Sequence, residues 1–452
     1  MNQALIAYFT ALVGPEEAEQ FFSTLKDFKT RRSLRVNTLK TSVAFMQKWL
    51  KSQGYAVELT PESSDGLDLQ GSGEPLALKL PYSAGYTYPQ DAASMFAVEM
   101  LNPQPGEMCL DLTAAPGGKS THIAQKMQNT GVLFSNDMDT KRIQALRSNL
   151  ERLGVWNTAV IRARAHDLSL WYPEVFDRVL IDPSCSGEGL FCTSAGQPEL
   201  WSEKGMARFA QDQYSLLVSA FRLLKPGGRL VYSTCTLNAV EDDAVVDRLL
   251  ADYPEAEVLP MDQAGTPPQV AGLKGVRFWP QHTRTKGFFC IAIGKKTSLE
   301  LEQKNARPFE RLKAVKGKVL AELERLLKAF DLKPEDVWPN CAFVEIEGSL
   351  YAVSDSLLRV DLPLRFKLTQ PILERLDSFP KFTDVASLAI SQKVANAVQI
   401  DAAQCTELFT QKALSLDLPE NNVWAAVQSS GFPMGIVKNK QGKGLFKAIH
   451  WI

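Results

Sequence analysis

Met108-Cys109-Leu110-Asp111-Leu112-Thr113-Ala114-Ala115-Pro116-Gly117-Gly118-Lys119-Ser120-Thr121 is the stretch that decides the architecture of this 452-residue chain. An apolar run ends in an acid, a Pro-Gly-Gly turn follows, and His122 to Met127 then read as an amphipathic helix. Strand, glycine turn and helix N-terminus bring backbone N–H groups and the positive helix end to one point, which suits an anionic ligand group such as a carboxylate or phosphate. Two nucleotide motifs compete and both fail. Gly118-Lys119-Ser120 fits the end of G-x-x-x-x-G-K-[ST], but that pattern demands Gly at 113, where this chain has Thr. The fingerprint G-x-G-x-x-G is absent as well, which leaves a generic nucleotide-type loop and disfavours an NTPase.

Outward from this loop, further strand candidates are residues 131–137, 158–163, 176–182, 229–235 and 287–294, with helical segments between most of them. Alternation of strand and helix predicts an α/β fold with a doubly wound, mainly parallel sheet. Asp137 closes the second strand about twenty residues past the glycines, where an acid accepts hydrogen bonds from ribose hydroxyls. Asp167 follows the third strand and is a candidate for the adenine end. Two more strands empty into cysteine loops, Asp182-Pro183-Ser184-Cys185-Ser186-Gly187-Glu188-Gly189 and Tyr232-Ser233-Thr234-Cys235-Thr236. Ligands of open α/β sheets bind beyond the carboxyl ends of the strands, so the two thiols could meet at one site. A buried free cysteine is as often a small core residue, and position alone does not choose.

Composition bounds the rest. The length suits two to four domains, and 45% apolar residues suffice for ordinary cores. No run of eighteen apolar residues occurs and the first residues lack a basic, cleavable leader, so a soluble cytoplasmic protein with no membrane contact is expected. The seven cysteines (109, 185, 192, 235, 290, 341 and 405) are scattered without a C-x-x-C pair, against a disulfide framework or structural zinc. His122, His166, His282 and His450 have no metal-ligand spacing, and no metal is expected. The net charge of −1 hides local bias: eight Lys/Arg stand against one acid from Lys26 to Lys51, and four lysines with no acid follow Glu420. Both ends suit a polyanion, with Arg32, Arg35, Lys40 and Lys438 as candidate RNA contacts. The predicted division is a helical, basic region over 1–80, the sheet domain over 81–296, a helical linker over 297–330 and a small mixed α/β module over 331–452. Residues 65–75 read as loop.

Taken together, the loop at 111–121, Phe134-Ser135-Asn136-Asp137 and the two cysteine motifs resemble the RNA cytosine-C5 methyltransferases that use S-adenosylmethionine, the RsmB/NOP family. Arg32 to Lys40 and Gly85 to Ser94 resemble that family's N-terminal signatures, and Arg277 to His282 with Gly287-Phe288-Phe289 its closing hairpin. Gly431-Phe432-Pro433-Met434-Gly435 is similar to the PUA-like tail of the bacterial RsmF type, which modifies small-subunit (16S) ribosomal RNA. There are two departures: Ser184 stands between Pro183 and Cys185, and Ile436 replaces the usual aromatic residue.

The resemblance implies a Rossmann-like class I methyltransferase with S-adenosylmethionine as cofactor, ribosomal RNA or the small subunit as partner, and a monomeric state. Cys235 maps to the nucleophile and Cys185 to the residue assisting product release. C5 of cytosine is too weak a nucleophile for a sulfonium methyl group until a thiolate adds at C6, which is why the chemistry needs a thiol. Asp182 is expected at the N3/N4 edge, aimed outward by the extended bias before Pro183. Lys119 is expected to help hold Cys235 as thiolate. Cofactor contacts are expected from Thr113, Ala114, Ala115, Pro116, Gly117, Gly118, Lys119, Asp137, Arg142, Asp167 and Asp182. A transfer RNA substrate, or an RNA-binding assembly factor with little catalysis, is the alternative.

Overall fold

The computed structural model describes residues 2–448 except 27, 29, 30, 75, 192, 194, 195, 302–308, 364, 377–379 and 419–423; Cys192 and His450 lie outside the described residues. Helices α1 (Gln3–Val13) and α2 (Pro15–Lys26) open the chain. Their buried Phe9 and Phe21 share a core with Trp201 and Trp279 of the next domain. Then follow β1 (Arg32–Val36), α3 (Val43–Ser52), β2 (Ala56–Leu59), β3 (Gly66–Gln70), α4 (Leu76–Ser83) and β4 (Thr87–Pro89). The four strands form an antiparallel sheet in the order β2-β3-β1-β4. The first region is thus largely helical, as expected, but also carries this sheet, which extends past residue 80. Residues 66–70, read as loop, are its central strand: Leu67 pairs with Leu34 and both are buried. A five-residue strand interrupted by Gly and Asp is too short to declare a period of two.

The sheet domain matches the expected architecture. Helix α5 (Ala92–Leu101) leads into β5 (Met108–Asp111), α6 (Gly118–Lys126), β6 (Val132–Asn136), α7 (Thr140–Leu153), β7 (Thr158–Ile161), α8 (Ala165–Trp171) and β8 (Phe176–Ile181). The chain continues through α9 (Glu203–Leu223), β9 (Leu224–Thr234), α10 (Asp243–Asp252), β10 (Ala256–Val258), β11 (Val276–Phe278) and β12 (Phe288–Lys295). The strand order is β10-β12-β9-β8-β5-β6-β7, with β11 paired to β12. Strands β5 to β9 are parallel and β12 runs against β9. One face is buried under α9 and α10, the other under α5, α6 and α7. The strand order reverses beside β5 and β8, the place where open α/β sheets bind ligands. The glycine loop follows β5, and the first cysteine loop follows β8.

Beyond β12, an antiparallel sheet of Cys341–Ile346, Ser349–Ser354, Pro371–Glu374 and Lys381–Phe382 docks on the sheet domain. The hydroxyl of Thr369 donates to the Val155 carbonyl at 2.6 Å and that of Ser354 to the Gly131 carbonyl at 2.8 Å. Helix Lys318–Leu327, in the stretch read as linker, buries Leu323 and Leu327 in that sheet's core. Strands Trp424–Ser429 and Phe432–Lys438 pack instead on the N-terminal sheet. Their Phe432 is fully buried, its ring centroid 5.1 Å from Trp49 and 5.2 Å from Tyr86. The Gly431–Gly435 motif is thus a core contact between the two ends of the chain and not an outward-facing one. Among the described residues, no helix is long and apolar enough to cross a membrane.

Candidate active site

Each half of the site begins with a local turn. In the glycine loop the Ala115–Pro116 peptide is cis, and Gly117, at φ 108°, takes a left-handed conformation that opens α6. The loop is pinned from the neighbouring strand: Asp137 accepts from the Ala115 N–H at 3.1 Å, and Arg142 donates to the Ala115 carbonyl at 2.5 Å. Thr113, the residue that breaks the P-loop pattern, accepts from the Asp182 N–H at 2.7 Å. Its hydroxyl thereby ties the end of β5 to the end of β8, which a glycine could not do.

The cysteine loops meet just beyond. Cys185 and Cys235, fifty residues apart in the chain, place their Sγ atoms 3.0 Å apart as free thiols. Gly189 makes this possible: its N–H donates to the Cys235 carbonyl at 2.9 Å, and a Cβ there would come within 1.9 Å of the Gly287 carbonyl oxygen. The hydrogen bond to Cys235, together with burial, holds the Cys185 thiol well above its ordinary range. Lys119 sits beside them with its ammonium 2.5 Å from Asp182. Burial works against that charge, but Asp182, Asp111 and Cys235 hold its pKa above the usual lysine value.

Two cavities share this centre. One, of about 530 Å³, is lined by Asp137, Met138, Arg142, Ala163 and Phe209; the other, of about 430 Å³, by Tyr88, Gln90, Phe288 and the loop residues Ala114, Ala115, Pro116, Gly118 and Lys119. Thr113, Asp182 and Cys235 line both. The first suits a nucleoside, with apolar side chains for a base and an acid for ribose hydroxyls. The expected cofactor set is therefore divided between the cavities, and Gly117 lines neither, serving the turn. Asp167 lines neither as well: the chain enters α8 at Ala165, so Ala165 borders the cavity and Asp167 lies in the first helical turn.

Two of the four expected RNA contacts are engaged inside the protein. Arg35 is fully buried, donates to the Thr121 hydroxyl at 2.6 Å and lies over Tyr88, and burial lowers its pKa to about 9. Lys40 donates to the Ala84 and Arg152 carbonyls at 3.0 and 2.8 Å, and burial lowers its pKa to about 7. A run of basic residues in sequence does not disclose which of them the pleat turns inward. Arg32 and Lys438 are exposed.

A carboxylate pair behind the thiols was not legible from the motifs. Glu188 and Glu241 are fully buried and both contact the Ser186 hydroxyl, Glu188 at 2.6 Å. Asn238 Nδ2 lies within hydrogen-bond distance of the same hydroxyl and of both carboxylates, at 3.1, 3.0 and 2.9 Å. Glu241 also accepts from the Ser186 N–H at 3.0 Å, and Glu188 from the Leu237 N–H at 3.2 Å, which links the two cysteine loops. The only sequence signal was two glutamates close to the two cysteines.

Burial, reinforced by Glu241, raises Glu188 from 4.5 to about 7. An acid that binds its proton more tightly when folded stabilises the fold below its unfolded pKa, and that stability is lost as pH rises through the folded value. Wild type should therefore lose stability between about pH 4.5 and 7. In Glu188→Gln that loss should shrink by on the order of 2 kcal/mol; Asp111, raised by burial to about 6, titrates in both proteins. Urea unfolding at pH 5 and pH 8 measures it, and equal losses in the two proteins would refute the assignment.

Asp65, Glu99 and fully buried His122 also cluster, but the Lys126 ammonium bridges the two carboxylates at 2.9 and 2.7 Å and stands where a cation would.

Comparison with known proteins agrees with this geometry. The family model described as 16S rRNA methyltransferase RsmB/F matches residues 98–293. Ribosomal RNA small subunit methyltransferase F of Klebsiella pneumoniae (strain 342) is 37% identical over 279 residues, covering 60% of this chain and 58% of that protein. The protein of the same name from Vibrio parahaemolyticus serotype O3:K6 is 35% identical over 329 residues, covering 68% of each chain. The chain thus spans roughly three fifths of the first of these relatives and two thirds of the second. Among solved structures, a methyltransferase homologue from Pyrococcus horikoshii superposes with a TM-score of 0.58 at 31% identity, over 66% of this chain and 95% of that one. Fold, motif positions and these matches agree: the chain belongs to the RsmB/F family of 16S rRNA methyltransferases.

Proposed function

We propose that this protein is an S-adenosylmethionine-dependent methyltransferase that forms 5-methylcytosine in small-subunit ribosomal RNA through a covalent Cys235 adduct. The observation that carries the reading is that Cys235, Asp182 and Thr113 stand on the wall common to two cavities. The cavity with Asp137 takes the nucleoside of the cofactor, whose sulfonium supplies the methyl group. The cavity with Phe288 and Tyr88 takes the flipped cytosine. Extrusion of the base costs a few kcal/mol, least in a loop or bulge.

Cys235 adds to C6, and Asp182 with Lys119 stabilises the charge that moves to the N3/N4 edge. With the cofactor bound, its methyl group would pass to C5 and its sulfur would be left as a thioether. Loss of the C5 proton to water and cleavage of the C6–S bond return Cys235 as thiolate, with the Cys185 thiol 3.0 Å away to donate a hydrogen bond to the departing sulfur. Arg32 and Lys438 supply positive charge at the surface, and the C-terminal sheets serve as a PUA-like RNA-binding module. Affinity should accordingly fall with salt.

The test is methyl transfer from S-adenosylmethionine carrying a labelled methyl group to deproteinised 16S RNA, assembled small subunits and transfer RNA. Label is expected in the small-subunit RNA, recovered as 5-methylcytosine after nucleoside digestion. Label confined to transfer RNA, or in another nucleoside, would overturn the reading.

A further inference from the structure

Gln90 is buried to 8% exposure between β4 and α5, yet neither its Nε2 nor its Oε1 has a hydrogen-bond partner among the described residues. Its backbone does not wander: Asp91 caps α5 through the Ala93 N–H and accepts from the Lys286 N–H, tying this turn to the closing hairpin. A carboxamide sequestered without partners is costly, because both donor and acceptor have been taken from water. Such a group is explained when a ligand completes it.

The surroundings say which ligand. Gln90 lines the cavity that holds Cys235 and Lys119, and also a larger groove of about 650 Å³. That groove is lined by the cations Arg31, Arg32, Lys79 and Lys286, by Tyr82 and by the apolar Leu34 and Leu69. Arg31 is held in place by Glu62 and Asp68, whereas Arg32 and Lys79 are exposed. Cations at the rim with an aromatic and apolar wall fit a single-stranded nucleotide, phosphate outward and base inward. The cavity beyond is lined by Asp182 and Lys119, the groups that the proposed function sets at the edge of the target base.

We propose that Gln90 is a specificity-determining residue that reads the base adjoining the flipped cytosine, hydrogen-bonding its edge at the junction of cavity and groove; this rests on the RNA methyltransferase reading above. A carboxamide offers one acceptor and two donors, so it pairs well with some bases and leaves polar atoms unpaired against others.

The experiment measures kcat/KM on RNA stem-loops containing the modified cytosine, with each of the four bases at either neighbouring position, for wild type, Gln90→Leu and Gln90→Met. Wild type is expected to prefer one neighbouring base by roughly tenfold or more. Both variants are expected to compress that spread to about threefold, mainly through KM. Neither variant should lose thermal stability, because each removes an unpaired buried amide; the Met variant keeps the side-chain length if Leu packs poorly. A spread unchanged by the substitutions, or an equal fall in kcat on every RNA, would overturn the role of Gln90 and leave the methyltransferase reading standing. Absence of methyl transfer from wild type to any of these RNAs and to small-subunit RNA would overturn that reading and this inference with it.

Discussion

Cys235→Ala is expected to lower methyl transfer to small-subunit RNA by at least about a thousandfold, equivalent to about 4 kcal/mol of barrier. Without the thiolate no bond forms at C6, and C5 of an aromatic cytosine cannot displace the sulfonium methyl. The variant should fold, because the thiol is only partly buried and, among the described residues, makes its side-chain hydrogen bond to Cys185. It should also bind cofactor, since the other groups lining the larger of the two cavities remain. Calorimetry with S-adenosylmethionine separates loss of chemistry from loss of binding. Cys185→Ala is the complementary case: Cys235 can still attack, but the partner 3.0 Å from it is gone at the release step. A protein–RNA adduct that survives a denaturing gel is expected from that variant and not from the double variant. Activity near wild type in Cys235→Ala would transfer the nucleophile to Cys185 or discard the covalent route.

Phe432→Ala is expected to cost about 3–5 kcal/mol, the range for removing a large ring from a packed core. The ring is fully buried among Phe45, Trp49 and Tyr86, and it belongs to the core joining the C-terminal strands to the N-terminal sheet. Urea unfolding should show the loss, and limited proteolysis should release the C-terminal strands first. A cost below about 1 kcal/mol would mean that the two ends of the chain do not depend on this contact. Arg32 and the groove beside Gln90 lie on the same N-terminal sheet, so loosening it should also weaken RNA binding, readable as a raised dissociation constant.

Much of the catalytic half could be read without coordinates because its signals are local. An apolar run, a Pro-Gly-Gly turn and an amphipathic helix are encoded within about fifteen neighbouring residues, and each strand of the parallel sheet carries its own apolar block. Thr113, Asp137, Asp182, Cys185 and Cys235 were found in or just beyond strand ends and Lys119 in the glycine turn, and all six lie at the centre or along the walls of the cavities. What went astray depended on partners far away in the chain. Arg35 and Lys40 look like phosphate contacts as letters, yet Thr121 accepts from one and Arg152 from the other, more than eighty residues distant. Phe432 looked like part of an RNA-facing tail, but the surface it covers belongs to Trp49 and Tyr86.

The sequence by itself determined the α/β sheet, the nucleotide-type loop and the pair of strand-end thiols, because backbone turns and hydrophobic periodicity are properties of adjacent residues. Only the tertiary structure decided that the thiols touch, that Glu188 and Glu241 converge on the Ser186 hydroxyl beside them, and that Gln90 stands between cavity and groove with no side-chain hydrogen-bond partner among the described residues. Burial, and the hydrogen bonds made or left unmade within it, is a property of which surfaces meet; no single segment carries that information.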